Sequence, residues 1–272
     1  MAALIRACHP IPALAVTAFG TALGAAAGNN TGTCVLLALA LATGQLSIGW
    51  SNDRIDAARD RTSGRQDKPL ARDPRLTRVT DRAIITALAG TIAFSLALGW
   101  RAGLLHLAAV GCAWLYNLGV KATPLSWLPY AAAFGALPGI ATLALPASPA
   151  PAWWAVVAGA LLGVTGHLTN TLPDLRDDLR TGVRGLPHRI GARASLLTAT
   201  VALLAGTAVL VLGPPGAPSP IRWAGLGLAV AWTIAGAVLA LRNPATKYAF
   251  YGTIAIAALD LALLVLGPSF TN

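Results

Sequence analysis

Apolar residues run in long blocks along this chain, separated by short polar breaks rather than alternating residue by residue. A helix needs about 20 largely apolar residues to cross the hydrocarbon core of a bilayer. Nine segments approach that length: 11–27, 33–50, 83–99, 103–120, 128–146, 152–170, 194–212, 221–240 and 246–267. The expected fold is therefore all-α, a polytopic membrane protein with nine transmembrane helices. Most breaks carry turn chemistry, as in Gly28-Asn29-Asn30, Pro146-Ala147-Ser148-Pro149, Gly213-Pro214-Pro215-Gly216 and Asn243-Pro244. Two connections alone are long and charged, 51–82 and 171–193.

Composition supports this reading. Of 272 residues, 56% are hydrophobic and 11% charged, against roughly 25% charged in a soluble domain, so most of the surface must face lipid. The first apolar run has no convincing cleavage site and reads as the first span, not as a signal peptide. No soluble domain or linker interrupts 1–272, which is expected to be a single transmembrane domain. Cys8, Cys34 and Cys112 are scattered and suggest neither a disulfide framework nor a zinc site.

The net charge of +10 invites a nucleic-acid partner, but the cations are interleaved with Asp and confined to segment ends. That distribution argues against nucleic acid and for membrane topology. Counted on alternate sides of nine spans, 18 Lys and Arg lie on the side of the N-terminus and 2, Arg101 and Arg222, on the other. The positive-inside rule then places the N-terminus and both charged loops in the cytoplasm. Richness in Ala, Leu, Arg and Gly fits a GC-rich bacterial genome, so a bacterial plasma membrane is expected.

The charged loops carry the candidate chemistry. In Asn52-Asp53-Arg54-Ile55-Asp56-Ala57-Ala58-Arg59-Asp60, the side chains of Asn52, Asp56 and Asp60 recur every four residues, with Asp53 three before Asp56. On a helix they share a face, where like charges repel unless a cation sits among them. Oxygen ligands without His or Cys suit Mg²⁺, which takes one or two carboxylates, several waters and substrate phosphate. Asn170, Asp174 and Asp178 repeat the spacing in the second loop. Two such faces across a cavity would hold a diphosphate, with Arg65, Lys68, Lys121, Arg184 and Arg189 taking up its charge. Pro173 is expected to kink or restart its helix.

N-D-x-x-D-x-x-x-D after the second span and N-x-x-x-D-x-x-x-D-x-x-x-G-x-x-G-L-P-x-x-x-G after the sixth resemble the UbiA superfamily of intramembrane prenyltransferases. Gly64-Arg65-Gln66-Asp67-Lys68-Pro69-Leu70 is similar to that family's basic, proline-ended loop, and the resemblance covers nearly the whole chain. It implies a UbiA-like helical bundle around a lipid-open cavity. There a Mg²⁺-bound prenyl diphosphate ionises and its allylic cation alkylates a lipophilic, usually aromatic, acceptor. Asn52, Asp53, Asp56 and Asp60 match the first motif and Asn170, Asp174 and Asp178 the second; Tyr116, Asn117 and Lys121 resemble the polar patch at the end of the fourth span. The assignments that follow are metal ligation by Asn52, Asp53, Asp56, Asp60, Asp174 and Asp178. Diphosphate binding falls to Asn52, Asn117, Arg65, Lys68, Asn170 and Arg184, and the catalytic roles to Asp56, Asp174, Lys121 and Tyr116. The alternative within the superfamily is a terpene cyclase, which uses the same metal site without an acceptor.

Other residues carry separate expectations. Trp50, Trp114, Tyr116, Trp127 and Tyr130 offer faces to a carbocation, whereas Trp50, Trp100, Trp153, Trp154 and Trp223 lie at span edges, as anchors do. Asp260, deep in the ninth span, must face the bundle interior and find a partner; it alone speaks for a transporter. His106 and His167 are expected as packing or interhelical hydrogen-bonding groups, and His167, one turn before Asn170, is also placed to reach an acceptor.

Overall fold

The computed structural model describes residues 2–62, 64, 68–242 and 248–271. Its helices are α1 (Ala2–Ala7), α2 (Pro10–Ala26), α3 (Thr31–Thr62), α4 (Pro69–Arg72), α5 (Leu76–Ala97), α6 (Trp100–Leu118), α7 (Leu128–Leu143), α8 (Trp153–Thr171), α9 (Leu175–Arg180), α10 (Leu186–Leu212), α11 (Pro220–Arg242) and α12 (Tyr248–Val265). One-turn 3₁₀ segments occupy Val120–Ala122 and Leu172–Asp174. Each of the nine apolar segments overlaps a helix of sixteen residues or more over most of its described length.

Six of these are long and apolar enough to cross a membrane: α3, α5, α8 with its continuation to Arg180, α10, α11 and α12. Helices α2 and α7 are apolar but have 17 and 16 residues. At 1.5 Å per residue, sixteen residues reach about 24 Å, short of a hydrocarbon core of roughly 30 Å. Helix α6 has 19 residues but carries Arg101, His106 and Asn117, which lower its apolar content. Of the nine transmembrane helices expected, six among the described residues thus meet the requirement by themselves.

The first charged connection differs most from the sequence expectation. Helix α3 continues to Thr62, twelve residues past the apolar segment, because no Gly or Pro interrupts it before Gly64. Helix α5 begins at Leu76, so much of 51–82 is helical. In the second connection the 3₁₀ turn forms around Pro173, whose ring and missing N–H oppose an α-helical continuation. The expected restart is found, and its consequence is that Asn170, Asp174 and Asp178 do not share one continuous α-helical face.

Helix α10 is broken at Gly191, where φ is 82° and ψ 166°. Only glycine enters that region without strain. Ser195 Oγ closes the break by donating to the Gly191 carbonyl at 2.8 Å.

The bundle packs around Leu23, Leu37, Leu137, Ile140, Trp154 and Val211. Glycine permits its closest crossing: a Cβ on Gly159 or Gly163 of α8 would collide with the carbonyls of Phe134 or Tyr130 on α7. Trp154 is buried in this core, a correction to its expected role as an anchor, whereas Trp100, Trp153 and Trp223 are exposed. In the first half α2 packs on α3, α3 on α5 and α5 on α6, and α7, α8, α10 and α11 repeat that order of neighbours.

Candidate active site

Continuity of α3 past its apolar segment puts the first acidic motif on one helical face turned into the protein. Asp53, Asp56 and Asp60 are 2%, 7% and 5% exposed. Carboxylates buried this deeply need counter-charge, and it arrives from segments remote in sequence. Asp53 Oδ1 accepts from Lys68 Nζ at 2.8 Å and lies 3.1 Å from His9 Nε2. Lys121 Nζ donates to both oxygens of Asp56, at 2.6 and 2.7 Å, and Arg59 Nη2 stands 2.8 Å from Asp56 Oδ2. Arg59 Nε is 4.0 Å from Asp60 Oδ1.

Side-chain amides fix the helix below. Asn117 donates to the Ile48 carbonyl and to Ser51 Oγ, both at 3.0 Å, and accepts from Asn52 at 3.1 Å. These bonds lock the end of α6 to α3 and so deliver the Val120–Ala122 turn, with Lys121, to Asp56. Burial pushes the Lys121 ammonium below its ordinary pKa, while Asp56 opposes that shift.

The second motif reaches the same mouth. Lys121 lies in the field of Asp178 as well as Asp56, so charge from both acidic segments acts on one cation. His188 Nε2 is 3.3 Å from Asp178 Oδ2. Asp174, on the 3₁₀ turn, and Asp178, on α9, are half-buried, whereas Asn170 is exposed.

An aromatic layer lies beneath. Tyr116 meets Tyr130 edge to face with ring centroids 5.2 Å apart, His167 lies 5.7 Å from Tyr116 and 5.1 Å from Tyr130, and Phe134 stacks on Tyr130 at 6.5 Å. Tyr116 stands in the field of both Asp178 and Asp56, which connects this layer to the acidic mouth.

Asp53, Asp56, Lys68, Lys121, Asn52, Asn117, Tyr116 and Asp178 are therefore assembled as one region. Arg184 is exposed and makes no ion pair among the described residues, and its carbonyl accepts from Arg189 Nε at 2.9 Å. Arg65 lies outside the described residues. His9 and His188 were missed: neither has a distinctive spacing, and only folding brings them to Asp53 and Asp178. Arg59 falls three residues after Asp56, a spacing that makes such a pair on a helix.

The expected metal residues do not form a compact cluster: among the described residues, no three His, Cys, Asp or Glu side chains are gathered closely enough to hold a metal ion. Lys68 and Lys121 stand on the carboxylates instead, because like charges approach one another only with counter-charge between them. The donor set nevertheless fits Mg²⁺. It is built of oxygens, and Asp53 Oδ2 is buried without a hydrogen-bond partner among the described residues, as one or two carboxylates facing a hydrated cation and phosphate require.

Asp260 finds its partner inside the bundle, Thr207 Oγ1 donating to its Oδ2 at 3.2 Å. Buried Arg222 binds the carbonyls of Leu210 and Val211 near the end of α10.

The fold is shared with solved structures. A UbiA homologue from Aeropyrum pernix K1 superposes with a TM-score of 0.76 at 17% identity, covering 93% of this chain and 97% of that one. A UbiA homologue from Archaeoglobus fulgidus bound to GPP and Mg²⁺ gives 0.74 at 18% identity, covering 96% and 97%. The same homologue bound to DMAPP and Mg²⁺ gives 0.73 at 19% identity, also covering 96% and 97%. No curated protein matches the sequence. The model of the UbiA prenyltransferase family matches residues 13–259, nearly the whole length over which the helices and both acidic segments are laid out, and the chain belongs to that family.

Proposed function

We propose that this protein transfers the prenyl group of a prenyl diphosphate to a lipophilic, aromatic acceptor within the membrane, with Mg²⁺ as cofactor. The observation that carries the reading is that two acidic segments, 110 or more residues apart in sequence, lie within electrostatic reach of Lys121 above an apolar bundle. The archaeal homologue's complexes with GPP or DMAPP and Mg²⁺ support the same class of donor.

Asp53, Asp56, Asp60, Asp174 and Asp178, assisted by Asn52, would hold the metal, which supplies charge neutralisation for the leaving diphosphate. Lys68 and Lys121 would exchange their carboxylate partners for diphosphate oxygens, with Arg59 beside them. The bond between the allylic carbon and oxygen breaks, its electron pair stays on the diphosphate, and the nearby ammonium groups stabilise that charge. Tyr116 and Tyr130 present rings to the cation, each contributing about 0.5–2 kcal/mol, and the surrounding bundle excludes water. All nine long helices would span the bilayer, with the acidic mouth toward the cytoplasm of a bacterial cell, since 18 of 20 cations fall on that side.

The test is to incubate the protein in nanodiscs with Mg²⁺ and prenyl diphosphates of ten, fifteen and twenty carbons. Pyrophosphate release and lipid-soluble products are measured with and without hydroxybenzoate-like, homogentisate-like and naphthoquinone-precursor acceptors. Products that form only with an acceptor support the transferase. A cyclic hydrocarbon or terpene alcohol made without acceptor, and absent in Asp56→Ala, would assign a cyclase instead.

A further inference from the structure

His167 is buried on α8, with 1% of its surface exposed, and the reaction outlined above leaves it without a task. Its Nε2 lies 3.0 Å from Ser126 Oγ. Its Nδ1 is buried and has no hydrogen-bond partner among the described residues. Ser126 Oγ also accepts the backbone N–H of Leu186 at 2.9 Å.

Those contacts determine which nitrogen carries the proton. A serine hydroxyl has one proton to donate and two acceptor lone pairs. The Leu186 amide occupies an acceptor position, and the one other hydrogen bond of Oγ among the described residues is the one to Nε2. With a proton on Nε2, Ser126 Oγ would accept twice and its own buried O–H would lack an acceptor in addition to the unpaired Nδ1; with Ser126 donating to Nε2, Nδ1 alone is left unpaired among these groups, so the second arrangement is favoured. A neutral imidazole has a single N–H, so with Nε2 accepting, the proton resides on Nδ1. The result is a buried N–H without an acceptor, on a ring whose neighbours are Tyr116 and Tyr130. Tyr116 in turn stands in the field of Asp56 and Asp178, so this donor belongs to the layer just beneath the acidic mouth.

We propose that His167 Nδ1–H recognises an oxygen atom, a carbonyl, phenol or phenolate, on a flat acceptor that lies against Tyr116 and Tyr130, and that Ser126 is the positioning residue that fixes the tautomer. The inference rests on the transferase reading and narrows its acceptor to oxygen-bearing rings. The donor would be of no use to a hydrocarbon chain closing on itself, because a buried N–H gains only from an acceptor atom. It is also suited to selection: a site built around a hydrogen-bonding group discriminates strongly against an analogue lacking the oxygen.

The test is side-chain ¹⁵N NMR on the full-length protein in nanodiscs, with 1-naphthol and naphthalene as probes. The expected spectrum has the His167 proton on Nδ1 in the wild type and redistributed toward Nε2 in Ser126→Ala. Addition of 1-naphthol should shift the Nδ1–H resonance, and naphthalene should not. His167→Phe should weaken 1-naphthol binding roughly ten- to a hundred-fold, as expected for loss of a buried hydrogen-bond donor, with little change for naphthalene. A wild-type proton on Nε2, or equal responses to the two probes, overturns the proposal. These readouts require no turnover, so the inference and the transferase reading, tested by pyrophosphate release, can fail separately.

Discussion

Lys121 Nζ contacts both carboxylate oxygens of Asp56, at 2.6 and 2.7 Å, across 65 residues of sequence. Both side chains are about nine-tenths buried, so each supplies counter-charge to the other where water is largely excluded. The pair joins the polar extension of α3 to the turn after α6, and Asp178 from the second acidic segment acts on the same ammonium.

Removing one partner should therefore affect stability and activity together, and removing both should separate them. Asp56→Ala leaves a buried ammonium facing Arg59, and breaking such a pair costs about 3–5 kcal/mol. Its thermal midpoint should fall, and pyrophosphate release from geranyl diphosphate should drop by roughly 100-fold or more. The double variant Asp56→Ala with Lys121→Met should recover much of the midpoint and none of the activity. Wild-type turnover by Asp56→Ala would remove this carboxylate from the mechanism.

Asn117 is a structural test of the same region. It is 3% exposed and uses both ends of its amide, donating to Ile48 and Ser51 and accepting from Asn52. Asn117→Leu should lower stability by about 1–3 kcal/mol through the groups left unpaired. Because it also releases the turn that carries Lys121, diphosphate binding measured by isothermal titration should weaken. An unchanged affinity would show that Lys121 is positioned without it.

Gly191→Ala tests the break in α10. The residue sits at φ 82° with no atom near its absent side chain, so any penalty reflects backbone conformation and not a clash. The expected cost is about 1–3 kcal/mol, seen as a lower thermal midpoint in detergent. A neutral result would mean that the break is not required.

Asp260 and Thr207 give a prediction of the opposite sign for function. Their hydrogen bond lies between α12 and α10, away from the acidic mouth, and Asp260→Asn keeps an oxygen able to accept from Thr207. That variant should hold the midpoint to within about 1 kcal/mol and retain pyrophosphate release. Loss of release with the fold intact would bring Asp260 into the chemistry.

The nine apolar blocks, the helical class and the two acidic motifs were legible in order along the chain, because the length of an apolar run and the i, i+4 spacing of acids are local properties. Locality also explains the misplaced edges. Hydropathy marks where a segment stops resembling lipid, but α3 stops only where helix-forming sequence ends, at Thr62 before Gly64. In the same way, spacing alone could not show that the 3₁₀ turn at Pro173 interrupts the register of Asn170, Asp174 and Asp178.

The sequence by itself determined that acids would accumulate on a helical face and that cations would gather at one end of the helices. Tertiary structure alone decided which distant cation answers which acid. Lys121 pairs with Asp56 and Lys68 with Asp53, while Arg184 stays exposed, although all three carry the same charge. The difference arises from burial. Asn117 ties α6 to α3 and holds the next turn within reach of Asp56, and a buried carboxylate selects the cation whose backbone is already fixed beside it. The tautomer of His167 is likewise a tertiary property, since Ser126 and the Leu186 amide that orients it are separated by 60 residues and meet only in the folded bundle.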